Sequence, residues 1–159
     1  MIYHRMFYLE RSSMKAYSSK AIANEFIRLA QNDGGLTHMQ IQKLVYFAHA
    51  MNLATYNEPL IRETFQAWPF GPVDVKIYLE FKGSGKTKIK ELIENVNETI
   101  DERSKQLIEI IYDRLGKKSG WELSDFSHKE SPWKSVFEKG KSNPITNDSI
   151  IKYYRSKEQ

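Results

Sequence analysis

A helix with a well-marked start constrains the fold of this chain more than any other feature of its sequence. Thr37 is followed three residues later by Gln40, a spacing typical of a capping box, in which each side chain satisfies a free backbone amide of the first turn. Apolar residues then recur at helical spacing at Ile41, Leu44, Val45, Ala48 and Met51. The longest apolar run of the chain, residues 44–57, contains polar residues and is too short to span a bilayer. The sequence therefore predicts a long helix that packs against a core.

Other segments predict further helices around this one. Helical spacing or capping signals are present at residues 19–32, 89–96, 107–115, 122–127, 133–138 and 147–154. Pro72 is suited to the first turn of another helix that continues through Ile77. Alternating apolar and polar residues at 61–67 predict a strand. We expect a mainly α fold, a compact single helical domain with a short antiparallel β-hairpin element around Ile61 to Trp68.

The composition is that of one globular domain. The chain has 159 residues, of which 40% are hydrophobic and 28% are charged, so it is long enough to bury a core without disulfides. It has no cysteine, which excludes disulfide scaffolds, thiolate metal sites and cysteine nucleophiles. We expect a domain over residues 14–159, preceded by an extension over residues 1–13. The extension lacks the features of a signal peptide, so we expect a cytoplasmic location.

Three groups of residues resemble catalytic or metal-binding motifs, but their context argues against those functions. Residues 83–87 (GSGKT) end like a P-loop, yet Glu80 stands where the first glycine is required and the preceding segment is predicted as helix. Ser124, Asp125 and His128 lie too close together along the chain to assemble a catalytic triad, so we expect capping and surface roles for Ser124 and Asp125. The four histidines include no pair at metal-ligand spacing. We expect no catalytic residue, no cofactor and no metal.

The charge balance allows a nucleic-acid-binding function. The net charge is +4 and the isoelectric point is about 9.1, but acidic residues are interspersed with the basic ones almost everywhere. One stretch is basic and free of acids, and it contains Lys82, Lys86, Lys88 and Lys90. Solvated loop lysines and a phosphate-binding patch are both compatible with this pattern.

The aromatic residues offer a more specific indication. Several of them fall near predicted turns or short helices rather than within the longest apolar stripes: Trp68, Phe70, Trp121, Trp133, Tyr153 and Tyr154. They would pack the periphery of a small core, or they would form a recognition surface, because tryptophan and tyrosine dominate the energetics of protein interfaces. The residues alone leave both interpretations open.

Three segments resemble one known family in their order and spacing. Residues 41–49 (IQKLVYFAH), 59–73 (PLIRETFQAWPFGPV) and 123–133 (LSDFSHKESPW) are similar to its helix, its hairpin with the following turn, and its short-helix segment. The isoleucine and tyrosines at 150–154 are similar to the usual end of the domain. The chain resembles the Panacea domain, also called the SocA-like antitoxin or GepA phage-associated family, from Met14 to Arg155.

The resemblance implies a non-enzymatic antitoxin of a bacterial or prophage type II toxin–antitoxin system. Such a protein neutralises a cognate toxin, encoded by an adjacent gene, through direct protein contact. The resemblance also implies a second mode of action, in which the antitoxin is an adaptor that delivers its toxin to a ClpXP-type protease. The alternative function is a nucleic-acid-binding or phage-associated regulatory module. Relatives that bind DNA carry an additional domain, for which we expect no room in this chain.

The family motifs also supply a candidate site. We expect the toxin to bind around Trp68, Phe70, Gly71, Pro72, His128 and Trp133, and we add Tyr46 as a residue of the first motif. Turns built on prolines would present aromatic side chains with little loss of conformational entropy on binding. The same residues would otherwise be the framework that docks the hairpin on the helices, and the toxin would then bind elsewhere, in the region 82–118.

Overall fold

The computed structural model describes residues 16–157. This part of the chain contains seven α-helices and three short strands, joined by loops. The helices are α1 (Ser19–Ala30), α2 (His38–Tyr56), α3 (Val75–Phe81), α4 (Glu102–Leu115), α5 (Gly120–His128), α6 (Ser131–Lys134) and α7 (Asn147–Ser156). The strands are β1 (Phe65–Trp68), β2 (Gly71–Val73) and β3 (Asn143–Ile145). The predicted mainly helical class with a small antiparallel element is confirmed. The expected extension over residues 1–13 lies outside the described residues, and no helix within 16–157 has the length and apolar character needed to cross a bilayer.

Helix α2 lies at the centre of the fold. The predicted capping box is present, because Gln40 N donates to Thr37 Oγ1 at 3.3 Å and Thr37 N donates to Gln40 Oε1 at 2.8 Å. The helix contacts α1, α3, α4, α5, α7 and β2, and every residue from Gln40 to Ala50 is buried. The sequence predicted a single core face, whereas the structure encloses α2 on all sides. A helix in this position must also bury its polar residues.

Buried polar side chains on α2 hold neighbouring segments by their backbones. Gln42 Nε2 donates to Asp74 O at 2.8 Å, and Gln42 Oε1 accepts from Asp74 N at 2.9 Å. His49 Nδ1 accepts from the Leu60 amide at 3.2 Å, and His49 Nε2 lies 2.9 Å from Asn147 Oδ1. Burial lowers the pKa of His49 to about 4, which keeps the ring neutral. His49 is therefore a structural histidine.

The predicted hairpin forms, but its second strand contains the proline that we expected to begin a helix. Strands β1 and β2 pair antiparallel, with Ala67 opposite Pro72. Strand β2 is an edge strand, where a residue without an N–H is tolerated. Helix α3 begins only at Val75, after Asp74 caps it by accepting from Ile77 N at 3.0 Å. The prediction of a helix from Pro72 was therefore wrong.

A third strand, which we did not predict, covers the other edge of β1. Strand β3 pairs antiparallel with β1, with Phe65 opposite Ile145, so the strand order is β2-β1-β3. With three residues, β3 is too short to show an alternating pattern. Ile61, which we placed in the first strand, instead forms an isolated parallel bridge with Tyr17. The small sheet thus joins the hairpin to the segment that precedes α7.

The segment between α3 and α4 is not helical, although a helix was predicted over residues 89–96. Asn24 Nδ2 donates to Ile93 O at 3.1 Å, and Asn24 Oδ1 accepts from Ile93 N at 2.8 Å. Ile89 forms an isolated antiparallel bridge with Leu36. These contacts occupy backbone groups that a helix would pair internally. Tertiary contacts with α1 and its following loop therefore override the helical spacing of the apolar residues.

An alanine substitution at Gly71 tests how closely the hairpin packs on α2. Gly71 has a φ of +109°, and an added Cβ would lie 2.5 Å from Ser127 Oγ and 2.8 Å from Lys43 Cε. Gly34 is a matched control, because its φ is +97° and no described atom lies within 4 Å of an added Cβ. We expect Gly34→Ala to lower the free energy of unfolding by about 1 kcal/mol. Gly71→Ala should lower it by roughly 3 kcal/mol or more, since overpacking adds to the backbone strain. Equal losses in urea unfolding would contradict this packing.

Candidate protein-binding face

Side chains from two helices hold the turn of the hairpin by its backbone carbonyls. Trp133 Nε1 of α6 donates to Trp68 O at 2.8 Å. Ser124 Oγ of α5 donates to Phe70 O at 2.6 Å. Helix α6 begins at Ser131, two residues earlier than predicted, and this start places the Trp133 ring beneath the hairpin. The structure therefore brings two of the motif segments together, and their side chains bind two carbonyls of the turn.

A stack of aromatic rings supports this contact. The His128 and Trp133 ring centroids are 4.2 Å apart at an interplanar angle of 29°, and Trp133 stacks on Phe137 at 4.5 Å and 15°. His128 Nε2 is buried and has no hydrogen-bond partner among the described residues. Burial lowers the pKa of His128, the Pro69 backbone opposes this, and the charge of Lys43 adds to the lowering. The stack therefore ends in a histidine that favours its neutral form.

Tyr46 lies inside the core rather than beside the turn. Its side chain is fully buried, and its ring meets Phe65 edge to face at 5.2 Å. Burial, followed by the nearby charge of Glu130, raises the pKa of Tyr46 well above its usual value. The seven candidate residues thus differ in exposure: Tyr46, Gly71 and Pro72 are buried, Trp68, His128 and Trp133 are half-buried, and Phe70 is exposed.

An exposed aromatic pair lies at the tip of the hairpin. The side chain of Phe70 is 53% exposed and that of Trp121, on α5, is 63% exposed. Their rings meet edge to face with centroids 5.4 Å apart. Trp121 was among the aromatic residues noted in the sequence but not among the candidate site residues. Its position two residues before the third family-like segment is the signal that could have included it.

An aromatic cleft opens beside this pair. It has a volume of about 390 Å³ and is lined by His38, Met39, Gln42, Lys43, Trp68, Pro69, Phe70, Val73, Tyr78, Lys82 and Gly85. The Trp68 and Tyr78 rings meet edge to face at 4.8 Å, and Trp68 Nε1 donates to Gln66 Oε1 at 2.9 Å. Trp68 therefore forms part of the cleft wall through its ring, while its carbonyl belongs to the framework.

Lys43 of α2 lies beneath the hairpin and also lines the aromatic cleft. Its residue exposure is 1%, and Nζ donates to Pro72 O at 3.0 Å. Within residues 16–157 no ion pair of Lys43 is present. Burial lowers the pKa of Lys43 to about 7, and its charge contributes, after burial, to the lowered pKa of His38. Sequence reasoning missed Lys43, because helical spacing places it off the predicted core face of α2.

The residues that resembled catalytic motifs have other environments in the structure. Ser124 is buried and binds the hairpin, so the expected surface role for Ser124 was wrong. The GSGKT sequence at 83–87 follows helix α3 rather than a buried strand, as its sequence context predicted. Within residues 16–157, no group of three or more histidine and carboxylate side chains is placed to share a metal ion. The geometry of this region favours contact with a macromolecule through the exposed pair and the cleft.

Comparisons with known proteins agree on one family. The family model described as Antitoxin SocA-like, Panacea domain, matches residues 41–134, a range that begins within α2, ends with α6 and contains all seven candidate residues. The chain is 28% identical over 131 residues to a protein named Antitoxin SocA from Caulobacter vibrioides (strain NA1000 / CB15N), and the match covers 75% of this chain and 70% of the relative. No solved structure matches.

The buried lysine predicts a pH-dependent stability difference between the parent protein and Lys43→Met. The folded protein holds the pKa of Lys43 near 7, whereas the unfolded chain keeps it near 10.5, so the unfolded state binds more protons between these values. The free energy of unfolding of the parent should therefore rise with pH from about 7 to 10.5 relative to the variant, by on the order of 5 kcal/mol. Urea unfolding of both proteins at several pH values measures this difference.

At pH 7 we expect Lys43→Met to be the more stable protein. The variant removes a costly buried amine, but it also leaves Pro72 O without its donor, which costs about 1–3 kcal/mol. The gain at pH 7 should therefore shrink or reverse near pH 10. A stability difference that does not change with pH would show that Lys43 is already paired or solvated in the folded protein.

Trp133 should behave as a framework residue. Trp133→Ala removes the ring stack and the bond to Trp68 O, so we expect a loss of roughly 3–5 kcal/mol in the free energy of unfolding. Trp133→Phe keeps a smaller aromatic ring and loses the hydrogen bond, so it should cost less than Trp133→Ala, about 1–3 kcal/mol. Thermal and urea unfolding measure both. If Trp133→Ala unfolds like the parent, Trp133 does not brace the hairpin and becomes a candidate contact residue.

Proposed function

Since the chain belongs to the SocA-like, Panacea-domain family of antitoxins, we propose that it binds its cognate toxin directly and neutralises it. An antitoxin family implies a toxin partner in general, and we propose that the gene next to this one encodes it. The observation that supports a binding role is the exposed pair of Phe70 and Trp121 beside the aromatic cleft. Neither an enzymatic centre nor a bound cofactor is needed for this activity.

The rigidity of the hairpin favours its use as a contact surface. Phe70 lies at a turn whose carbonyl is held by Ser124 Oγ at 2.6 Å, and its ring is already placed by the edge-to-face contact with Trp121. A partner that covers these rings loses little conformational entropy in ordering them. Exposed tryptophan and phenylalanine next to a concave apolar surface are typical of the centre of a protein interface. We therefore propose that the toxin binds on this face.

The loop lysines support nucleic-acid binding less well. Lys88 and Lys90 share one surface depression with Glu80, Glu91 and Glu94, so carboxylates offset the basic charge on this surface. Phosphate-driven binding requires a net basic surface and weakens steeply with salt, because counterions are released on binding. A toxin interface with an apolar centre weakens far less with salt.

The adaptor mode predicts a different observation in cells. If the protein delivers its toxin to a ClpXP-type protease, the half-life of the toxin should shorten when this protein is present and recover when the protease is deleted. If the protein inhibits by direct contact, the purified pair should suffice to abolish toxin activity without any protease. We propose direct contact as the common step of both modes, because an adaptor must also bind its cargo.

Co-expression tests the proposed face. We expect the product of the adjacent gene to stop growth when expressed alone and to be harmless together with this protein. The double variant Phe70→Ala/Trp121→Ala should fail to rescue growth and should bind the toxin more weakly by about 2 kcal/mol or more, roughly 30-fold. Its free energy of unfolding should stay within about 1 kcal/mol of the parent, since both side chains are exposed.

Ile110→Ala provides the matched control. Ile110 is 40% exposed on α4 and does not line the aromatic cleft, so this variant should rescue growth like the parent. If the double variant rescues as well as Ile110→Ala, the toxin does not bind at the hairpin. If binding instead falls steeply with salt and nucleic acid competes for it, the alternative function is the correct one.

A further inference from the structure

We propose that the aromatic cleft is a receptor for a carboxylate, and that its occupant is an aspartate or glutamate side chain on an apolar segment of the toxin. On binding, the Lys43 side chain would turn its ammonium group from Pro72 O toward the cleft, where the carboxylate would contact it, while neighbouring apolar groups of the same segment would contact Trp68 and Tyr78. This assignment rests on the proposed toxin-binding function and names the chemistry of the partner at that face.

The amine of Lys43 is under-used by the folded chain. A lysine ammonium carries three N–H donors, and among the described residues the structure shows one acceptor, Pro72 O at 3.0 Å. The residue is 1% exposed, so bulk water does not supply the missing acceptors. Buried polar groups are normally hydrogen-bonded, and a buried charge is normally paired. Lys43 is therefore a buried cationic donor without an anion, on a residue that lines the cleft.

The charges around the cleft call for an anion from outside. Its lining includes the basic residues His38, Lys43 and Lys82 and contains no aspartate or glutamate. Two carboxylates on segments next to the cleft have other partners. Asp74 accepts from Ser19 Oγ at 2.6 Å and from Ile77 N, and on α5 the carboxylate of Asp125 pairs with Lys129 Nζ at 3.1 Å.

The apolar walls make the site selective for a carboxylate that is carried by an apolar segment. The Trp68 and Tyr78 rings, together with Val73 and Met39, give the cleft apolar walls, and charge pairs are stronger where a bound segment excludes water. A free ion such as chloride or phosphate would make no apolar contacts with these walls. A carboxylate side chain flanked by apolar groups would pair with the charge of Lys43 and would also cover the apolar walls.

Carboxylate binding must also change the protonation of Lys43. The free cleft holds the pKa of Lys43 near 7 because of burial, so part of the population is neutral at that pH. An entering carboxylate favours the protonated form. Binding above pH 7 should therefore take up a proton, and the apparent affinity should fall by about tenfold for each further pH unit. His38 and His128 also face this charge, but their pKa values are lowered, so they are neutral in this range.

A small probe tests the cleft independently of the toxin. The probe is 3-phenylpropionate, and 3-phenylpropionamide is its neutral control of nearly the same shape. Binding is followed by the NMR shift of the Trp68 indole N–H. We expect the acid to bind the parent protein at pH 6.5 at least about tenfold more tightly than the amide, and to bind Lys43→Met no better than the amide does. Lys43→Gln, which keeps an N–H donor without the charge, serves if Lys43→Met does not fold.

The toxin tests the identity of the occupant. We expect Lys43→Met to weaken toxin binding at least tenfold at pH 6.5 and to abolish proton uptake, measured by calorimetry at pH 8 in buffers of different ionisation enthalpy. Equal binding of acid and amide, or unchanged binding of the acid by Lys43→Met, would overturn the carboxylate site. If the acid binds through Lys43 while toxin binding is unchanged in the variant, the occupant is not the toxin.

These outcomes are separable from those for the proposed function. Loss of rescue by Phe70→Ala/Trp121→Ala with no effect of Lys43→Met would support toxin binding at the hairpin and overturn the carboxylate contact. If the adjacent gene product is not toxic and does not bind, the proposed function fails and the toxin is overturned as the occupant. The contrast between acid and amide then still shows whether the cleft binds carboxylates.

Discussion

The fold depends on hydrogen bonds from the buried polar side chains of α2. Because α2 is enclosed by other elements on all sides, its polar side chains cannot reach water, and a buried polar group without a partner is costly. Their partners come mostly from the backbone of other segments. The side chains concerned are Gln40, Gln42, Lys43, His49 and Asn52, which bind Lys118 O, the Asp74 backbone, Pro72 O, the Leu60 and Ile61 amides, and Glu58 O. One helix thereby positions the hairpin, the start of α3 and the connection into α5.

The sequence predicted the elements whose signals are local. The capping box at Thr37, the glycine-rich end of α1 and the spacing in α5 and α7 depend on neighbouring residues only, so these features were predicted nearly correctly. The helix predicted at 133–138 shares only Trp133 and Lys134 with α6, and α4 begins five residues before the predicted start. Signals that depend on distant residues were misinterpreted. The spacing of Ile89 and Ile93 is compatible with a helix, but Asn24 binds the Ile93 backbone, and nothing within 89–96 records that contact. The third strand was missed for the same reason, since its partner lies in β1.

The candidate site divides into a framework and a contact surface that no single residue type distinguishes. Trp133 and Trp121 are the same residue type on adjacent short helices, yet one is stacked between two rings under the hairpin and the other is largely exposed. Lys43 shows the opposite difference between sequence and structure. A lysine within a helix is expected to face solvent, but the hairpin covers Lys43 and buries it. The motif residues could be named from sequence, but their division between bracing and contact depends on the tertiary packing of α2, α5 and α6.

The antiparallel pairing of β1 with β3 has a consequence for the order in which the chain becomes functional during synthesis. Phe65 leaves the ribosome long before Ile145, its partner across the sheet, and at roughly 5–20 residues per second the interval lasts several seconds. Until then one edge of β1 is open, and the later-made Trp133 is also absent from beneath the hairpin. A nascent chain therefore does not yet present the finished face. The proposed protection against a toxin would then begin when each molecule is completed rather than when its translation starts.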